Sequence, residues 1–189
     1  MPRGALIPMT AIPPLLGFVG FSGVGKTTLL VKLLPLLRER GLRIGVLKHA
    51  HHDFEIDTPG KDSYELRKAG ANEMLVASGQ RWALMVDHST TTEPQLGALL
   101  QRMAIATLDL ILIEGFKHEN IPKIELHRTA LGHTLLYPND TSIIALATDN
   151  IDTAACPVAL LDINNSIQIA DFVCAQLGTP HRSIQGNNL

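Results

Sequence analysis

The run GFVGFSGVGKTTLL, Gly17 to Leu30, constrains this chain more than any other part of it. Gly20 to Thr27 matches G-x-x-x-x-G-K-[ST] at every fixed position, with an apolar strand-like run before it and a helix-length apolar pattern after it. Strand, glycine-rich turn and helix in that order build a phosphate-binding loop. The glycines let the backbone curl until several N–H groups point inward, and the helix N-terminus adds a further anion site. Lys26 reaches the β- and γ-phosphates, and the Thr27 hydroxyl is suited to Mg²⁺. Ser22, Gly23, Val24, Gly25, Lys26, Thr27 and Thr28 are therefore the candidate phosphate-binding residues. Lys26 is also a candidate catalytic residue and Thr27 a candidate metal ligand.

The rest of the chain supports such a loop. Apolar runs of strand length alternate with amphipathic segments of helical length, which predicts an α/β fold of the P-loop NTPase type: a mostly parallel sheet with helices on both faces. Strands are expected near Leu15–Gly20, Arg43–His49, Glu73–Ser78, Arg81–Asp87, Leu108–Ile113, Lys123–Arg128, Ser142–Ala147 and Val158–Leu161. Helices fit Lys26–Arg40, Lys61–Ala69, Pro94–Ala106 and Ser166–Leu177. Gly41 and Gly178 read as helix stops, Asn165 as an N-cap, and Pro35 should bend the first helix. Gly79-Gln80 between two strand runs predicts an antiparallel hairpin, so added antiparallel strands should make the sheet mixed.

With 189 residues and 46% hydrophobic content, the chain reads as one nucleotide-binding domain, 1–189, with an N-terminal arm (1–13) and a loose tail (179–189). Pro8, Pro13 and Pro14 interrupt the arm's apolar run, which argues against a signal peptide. A formal net charge of -2 provides no general electrostatic case for nucleic acid or an anionic membrane. No apolar stretch reaches the ~18 residues of a membrane helix. Cys156 and Cys174 lack disulfide-framework or metal spacing and read as buried thiols in a reducing cytosol.

A Mg-nucleotide site also needs an acid at the C-terminal edge of a neighbouring strand. In LDLILIEGFK, Asp109 opens the strand and Glu114 closes it, about 16 Å apart at ~3.3 Å per residue. Glu114 is the candidate for Mg²⁺ or its bound water, and Asp109 a cap or surface charge at the far end. The loop KHAHHDFEIDTPGKDSYELRKAGA offers His49, His51, His52, Asp53 and Asp57. The histidines' near-contiguous spacing does not put them on one helix face, so zinc, substrate or nucleotide contacts, and a solvated loop all stand as readings. Asp53 and Asp57 are candidates for a metal-associated water or a switch. No Asn-Lys-x-Asp element is present to read guanine. Thr148-Asp149 stands in its place, and Asp149 is either an acceptor for guanine N–H groups or a turn former.

Together, GFSGVGKTTL, the histidine-rich block, LDLILIEGFK and PKIELHR resemble the molybdopterin-guanine dinucleotide biosynthesis protein B (MobB) family, from about Leu15 to Arg128. The resemblance implies a P-loop GTP-binding protein, typically dimeric. It also implies an adaptor for the MobA-type nucleotidyltransferase that attaches GMP to molybdopterin. By the same resemblance Gly23, Gly25, Lys26, Thr27 and Thr28 carry phosphate and Mg²⁺, and Glu114 with Gly115 forms the second nucleotide motif. Lys48, His49, Asp57, Lys61 and Asp62 belong to the central block, and Lys117, Lys123 and Arg128 to the later one. Phe21 stands where related ATPases carry a second lysine, so hydrolysis should be slow unless a partner completes the site.

The expectation is a cytoplasmic GTP-binding adaptor with weak Mg-dependent hydrolysis. A small-molecule kinase is the first alternative. It usually needs an arginine-bearing lid, and Arg67, Arg81 and Arg102 between the loop and Glu114 are scattered rather than clustered. The second is a scaffold that binds nucleotide without turnover. PKIELHR alternates Ile124 and Leu126 with Lys123, Glu125 and His127. This half-buried pattern predicts that it and the Arg81 hairpin form added edges for a homodimer. Lys117 and Lys123 would then face an intersubunit groove, where a pterin phosphate could be held.

Overall fold

The structure, a computed structural model, describes residues 12–50, 54–90, 92–150 and 156–178. The tail, nearly all of the N-terminal arm, and His51, His52 and Asp53 lie outside the described residues. The chain organises into two compact units, Met1–His49 with Leu96–Leu189, and Ala50–Gln95.

The first unit is built on six strands: β1 (Leu15–Val19), β2 (Ile44–Lys48), β5 (Leu110–Glu114), β6 (Lys123–His127), β7 (Ile143–Thr148) and β8 (Ala159–Asp162). Their order is β2-β5-β1-β6-β7-β8, and every pairing is parallel. Central parallel strands are covered on both faces, so they read as continuous apolar runs rather than alternating ones. LILIE of β5 is buried at all five positions. On one face α1 (Lys26–Glu39) and α4 (Ser166–Gln176) pack Leu30, Leu33, Leu37, Ile169 and Val173 against Phe18, Leu112, Ile124 and Ala145. On the other, Leu96 and Leu100 of α3 (Leu96–Leu100) pack on Leu47, Ile111 and Ile113.

Sequence cues explain the helix ends. Asn165 accepts a hydrogen bond from the Gln168 N–H at 3.0 Å, the expected N-cap of α4. Gly41 (φ 85°) and Gly178 (φ 62°) follow α1 and α4 in the left-handed conformation that stops a helix. Pro35 lies inside the 14-residue α1. The third helix is shorter than Pro94–Ala106: it ends at Leu100 and gives way to a turn and a 3₁₀ segment, Ile105–Thr107. Its second turn has only Met103 and Ile105 packed on the core, too little apolar surface to hold more helix. Among the described residues no helix is long and apolar enough to cross a membrane.

The second unit holds α2 (Asp62–Lys68) and the expected hairpin of β3 (Glu73–Ala77) with β4 (Trp82–Val86). The hairpin forms its own two-stranded sheet, so the six-stranded sheet is parallel throughout rather than mixed. Buried Arg67 of α2 binds Asp87 at 3.0 Å and also pairs with Glu55.

PKIELHR is not an edge. β6 lies between β1 and β7, and Lys123 to Leu126 are all buried. The alternation misled because its polar positions are buried charges with local partners. Lys123 Nζ donates to the carbonyls of Lys117 at 2.9 Å and Glu119 at 2.7 Å and pairs with Asp140 at 2.8 Å. Glu125 accepts from the N–H groups of Leu136 at 2.7 Å and Tyr137 at 2.9 Å. The Lys123 stem crosses β1 at Gly17, where any Cβ would lie 2.6 Å from Lys123 Cγ. Lys123 therefore anchors the β5–β6 crossover, and it shares the lining of a cavity with Lys117.

Candidate functional site

The glycine-rich turn connects β1 to α1 at the C-terminal edge of the sheet. Gly20 has φ 143° and passes the backbone of β6 so closely that a Cβ would lie 2.5 Å from the Leu126 carbonyl oxygen. Gly23 (φ 80°) and Gly25 (φ 99°) take left-handed conformations with open space around them, which curls the loop into a concave cradle of amides. Gly25 also occupies the N-cap position of α1, so the first free N–H groups of that helix belong to the same cradle.

Lys26 Nζ donates to the carbonyls of Gly20 at 2.9 Å and Phe21 at 3.1 Å, which folds its ammonium over the loop. Partial burial pulls its pKa down; nearby Glu114 counters this, Lys48 reinforces it, and the net direction is downward. An anion in the cradle would remove that penalty.

Thr27, at the start of α1, meets Glu114, the last residue of neighbouring β5. The Thr27 hydroxyl lies 2.9 and 3.1 Å from the two carboxylate oxygens of Glu114. Lys48, at the end of β2, donates to Thr27 Oγ1 at 3.1 Å and stands 3.3 Å from Glu114 Oε1. One hydroxyl and one carboxylate thus converge beside the phosphate cradle, and an ammonium neutralises them where a bound cation would. This donor set fits Mg²⁺, which takes few protein oxygens and completes its shell with water and phosphate. Among the described residues no cluster of three His, Cys, Asp or Glu could hold a metal.

The turn after Glu114 is also specialised. Gly115 (φ 94°) and Phe116 (φ 50°) are both left-handed, and a Cβ on Gly115 would approach His49 Cβ to 2.9 Å. His49 donates its N–H to the Glu114 carbonyl at 2.9 Å, and its ring packs on buried Phe116 at 4.8 Å between centroids. Lys48 and His49 are therefore joined to the Glu114 corner.

Other candidates fall elsewhere. Asp109 receives the guanidinium of Arg43 at 2.7 and 2.9 Å, the far-end surface charge expected of it. Lys117 is exposed and lines a separate cavity of about 400 Å³ with His118, Asn120 and Asp140. Asp57, Lys61 and Asp62 belong to the second unit. There Asp57 Oδ1 accepts from Thr58 N at 2.9 Å and Ser63 Oγ at 3.0 Å, while its buried Oδ2 has no hydrogen-bond partner among the described residues. Lys61 and Asp62 begin α2 and are exposed.

Asp149 follows β7, and its Oδ1 accepts from both Thr129 N at 2.9 Å and Thr129 Oγ1 at 3.1 Å. Those bonds, with Arg128 nearby, hold its carboxyl below the usual carboxylate range. Two residues that sequence reading did not place beside the loop come to it here. Arg128 donates to the Val24 carbonyl at 3.2 Å and to Asn164 Oδ1 at 3.2 Å. Asn164 lies in a stretch whose only visible signal was a helix start.

Comparison with known proteins agrees with this fold. The family model described as MobB, molybdopterin guanine dinucleotide synthesis protein B, matches residues 15–149. The molybdopterin-guanine dinucleotide biosynthesis adapter protein of Escherichia coli (strain K12) is 54% identical over 167 residues, 85% of this chain and 91% of that protein. Its Haemophilus influenzae counterpart is 44% identical over 164 residues, covering 85% and 87%. The crystal structure of Bacillus subtilis MobB aligns with a TM-score of 0.66 at 27% identity, covering 86% of this chain and 97% of that one. The matched span begins at the first residue of β1 and takes in the phosphate loop, the Glu114 corner and all of β6, and by it the chain belongs to the MobB family.

Proposed function

We propose that this chain is a GTP-binding adaptor of molybdopterin guanine dinucleotide synthesis, with weak Mg-dependent GTPase activity, that works in the cytoplasm beside a MobA-type nucleotidyltransferase and its molybdopterin substrate. The observation that carries the nucleotide half is the meeting of Thr27, Glu114 and Lys48 at the mouth of the phosphate cradle. Mg²⁺ held by Thr27 and, directly or through water, by Glu114 would neutralise the β- and γ-phosphates. Lys26 would exchange its two carbonyl partners for phosphate oxygens, and Lys48 would be free to turn from Glu114 toward the ligand. Weak turnover follows from what surrounds the cradle: Phe21 stands where a second lysine would be, and its ring stacks on His133 at 4.3 Å instead of bringing charge. The adaptor role is supported by the names and the 54% and 44% identities of the two bacterial relatives.

A homodimer is part of the same reading. The hairpin of the second unit places Leu75 opposite Leu84 and Ala77 opposite Trp82 on one face. Leu75 is 58% and Trp82 62% exposed, apolar surface that a second copy would cover.

Titration of the full chain with Mg-GTP and Mg-ATP, followed by single-turnover hydrolysis with and without the nucleotidyltransferase loaded with molybdopterin, tests the proposal. We expect tight GTP binding, slow hydrolysis alone, and a complex with the loaded enzyme. Fast transfer of phosphate to a small hydroxyl acceptor would favour the kinase, and no effect of the enzyme partner would leave only a scaffold. Sedimentation at micromolar concentration should show a dimer that Trp82→Glu dissociates.

A further inference from the structure

Beside the phosphate cradle opens a second cavity of about 240 Å³ whose lining continues from Gly23 and Gly25. Its floor is apolar, made by buried Leu29 and Ile163, and its rim is polar, made by Thr28, Lys32, Arg128 and Asn164. Pockets that enclose a whole drug-sized ligand start at roughly 300 Å³. This one suits a single planar ring system whose attached phosphates lie next door.

The rim has a definite polarity. A guanidinium can only donate, so the Arg128 Nη2 bond at 3.2 Å fixes the Asn164 amide with its oxygen toward Arg128. The Asn164 Nδ2 hydrogens are left without a protein partner among the described residues. Lys32 adds an ammonium. Of the carboxylates near it, Asp149 has Oδ1 bound to Thr129 and Oδ2 at 3.7 Å from Arg128 Nη1, and Asp162 Oδ1 accepts from the Asn164 main-chain N–H at 2.8 Å. The cavity therefore offers an apolar seat and a rim where the donors of Asn164 Nδ2 and Lys32 stand beside the Thr28 and Ser166 hydroxyls.

We infer that this cavity is a nucleobase subsite in which Asn164 Nδ2 reads the O6 and N7 acceptor edge of guanine, with Arg128 as the residue that positions it. The inference rests on the proposal that a nucleoside triphosphate occupies the phosphate loop. Adenine carries an amino donor where guanine carries O6, so donor would face donor and both would lose their partners. Asp149 then acts through Arg128 and Thr129 instead of touching the base. Arg128 also bonds the Val24 carbonyl at 3.2 Å, so the subsite and the phosphate loop share one guanidinium.

The test titrates the full chain and its variants with Mg-GTP, Mg-ATP and inorganic tripolyphosphate. In Asn164→Ala, GTP affinity should fall roughly tenfold, the loss of a hydrogen bond at the base, so that the GTP-to-ATP ratio approaches one while tripolyphosphate affinity stays within about twofold. Arg128→Met should lower the same ratio, and the double variant should lower it no further, a non-additivity that a merely structural role would not produce. An unchanged GTP-to-ATP ratio in Asn164→Ala overturns the subsite, as does a parent protein that binds GTP no better than tripolyphosphate. A parent that binds none of the three probes overturns the phosphate-loop reading and the subsite with it.

Discussion

Two strands flank β1, and each carries a buried glutamate. Glu114 ends β5 and Glu125 lies in β6, yet they are put to opposite uses. The partners of Glu114 are side-chain groups at the mouth of a cradle, Thr27 Oγ1 and Lys48 Nζ, each able to turn to a ligand. The partners of Glu125 are main-chain N–H groups of Leu136 and Tyr137, which have nowhere else to go. The lysines differ in burial instead, Lys26 half-buried at the open cradle and Lys123 fully buried. Lys26 holds two carbonyls of its own loop, and Lys123 holds two carbonyls of a crossover plus a carboxylate. A buried carboxylate whose partners are exchangeable side chains makes a binding site; one whose partners are fixed backbone makes a joint.

The contrast breaks most visibly at Lys123. Lys123→Met should cost about 3 kcal/mol of stability, because it leaves Asp140 and two carbonyls without their cation. Urea denaturation measures it, and a loss under 1 kcal/mol would mean the joint contributes little. Nucleotide affinity of the folded fraction should be unaffected.

Lys26→Met should do the reverse. Stability should change by less than about 0.5 kcal/mol, while Mg-GTP affinity falls on the order of 100-fold, the loss of a charge-assisted contact of ~3 kcal/mol. Near-normal affinity in a folded variant would refute the phosphate-loop assignment.

A smaller effect is expected at Glu114→Gln. It should weaken GTP binding roughly tenfold in the presence of Mg²⁺ and little in its absence. Equal effects with and without the ion would separate Glu114 from the cation.

The smallest effect is the pH dependence of the β6 joint. For Asp140, burial raises the pKa, but hydrogen bonds from Lys123 and Ser142 outweigh it and the net direction is downward. Its stabilisation is therefore present above the ordinary carboxylate range and lost as pH falls through the lowered value. For Glu125 burial dominates the two amide bonds and the direction is upward, so its contribution declines as pH rises from the ordinary range through the raised value. Urea midpoints between about pH 3 and 7 should show both slopes. Glu125→Gln should remove the decline on the rising side and leave the acid loss in place.

How far the sequence could be read follows the same division. The phosphate loop was legible because its residues are contiguous and its glycines adopt their conformations locally. Glu114 was legible because strand geometry separates it from Asp109 by the length of β5. The hairpin was visible in its turn, but its separation from the main sheet was not, since strand order is not written in any strand. β6 was misread as half-buried because alternation of polar and apolar residues is the same whether the polar face meets water or a partner such as Asp140. The Arg128–Asn164 pair spans 36 residues with no local signal at either end.

By itself the sequence determined where phosphate can be held, which threonine and glutamate stand beside it, and that a parallel α/β sheet presents them. Glycine torsions, helix caps and apolar runs act over a few residues, and their physics is the same in any context. Only the tertiary structure decided that β6 lies within the sheet between β1 and β7, that Lys123 is buried in a joint, and that Arg128 meets Val24 and Asn164. Those outcomes depend on which distant strands pair and which buried charges find one another, a choice made by packing and desolvation over the whole unit.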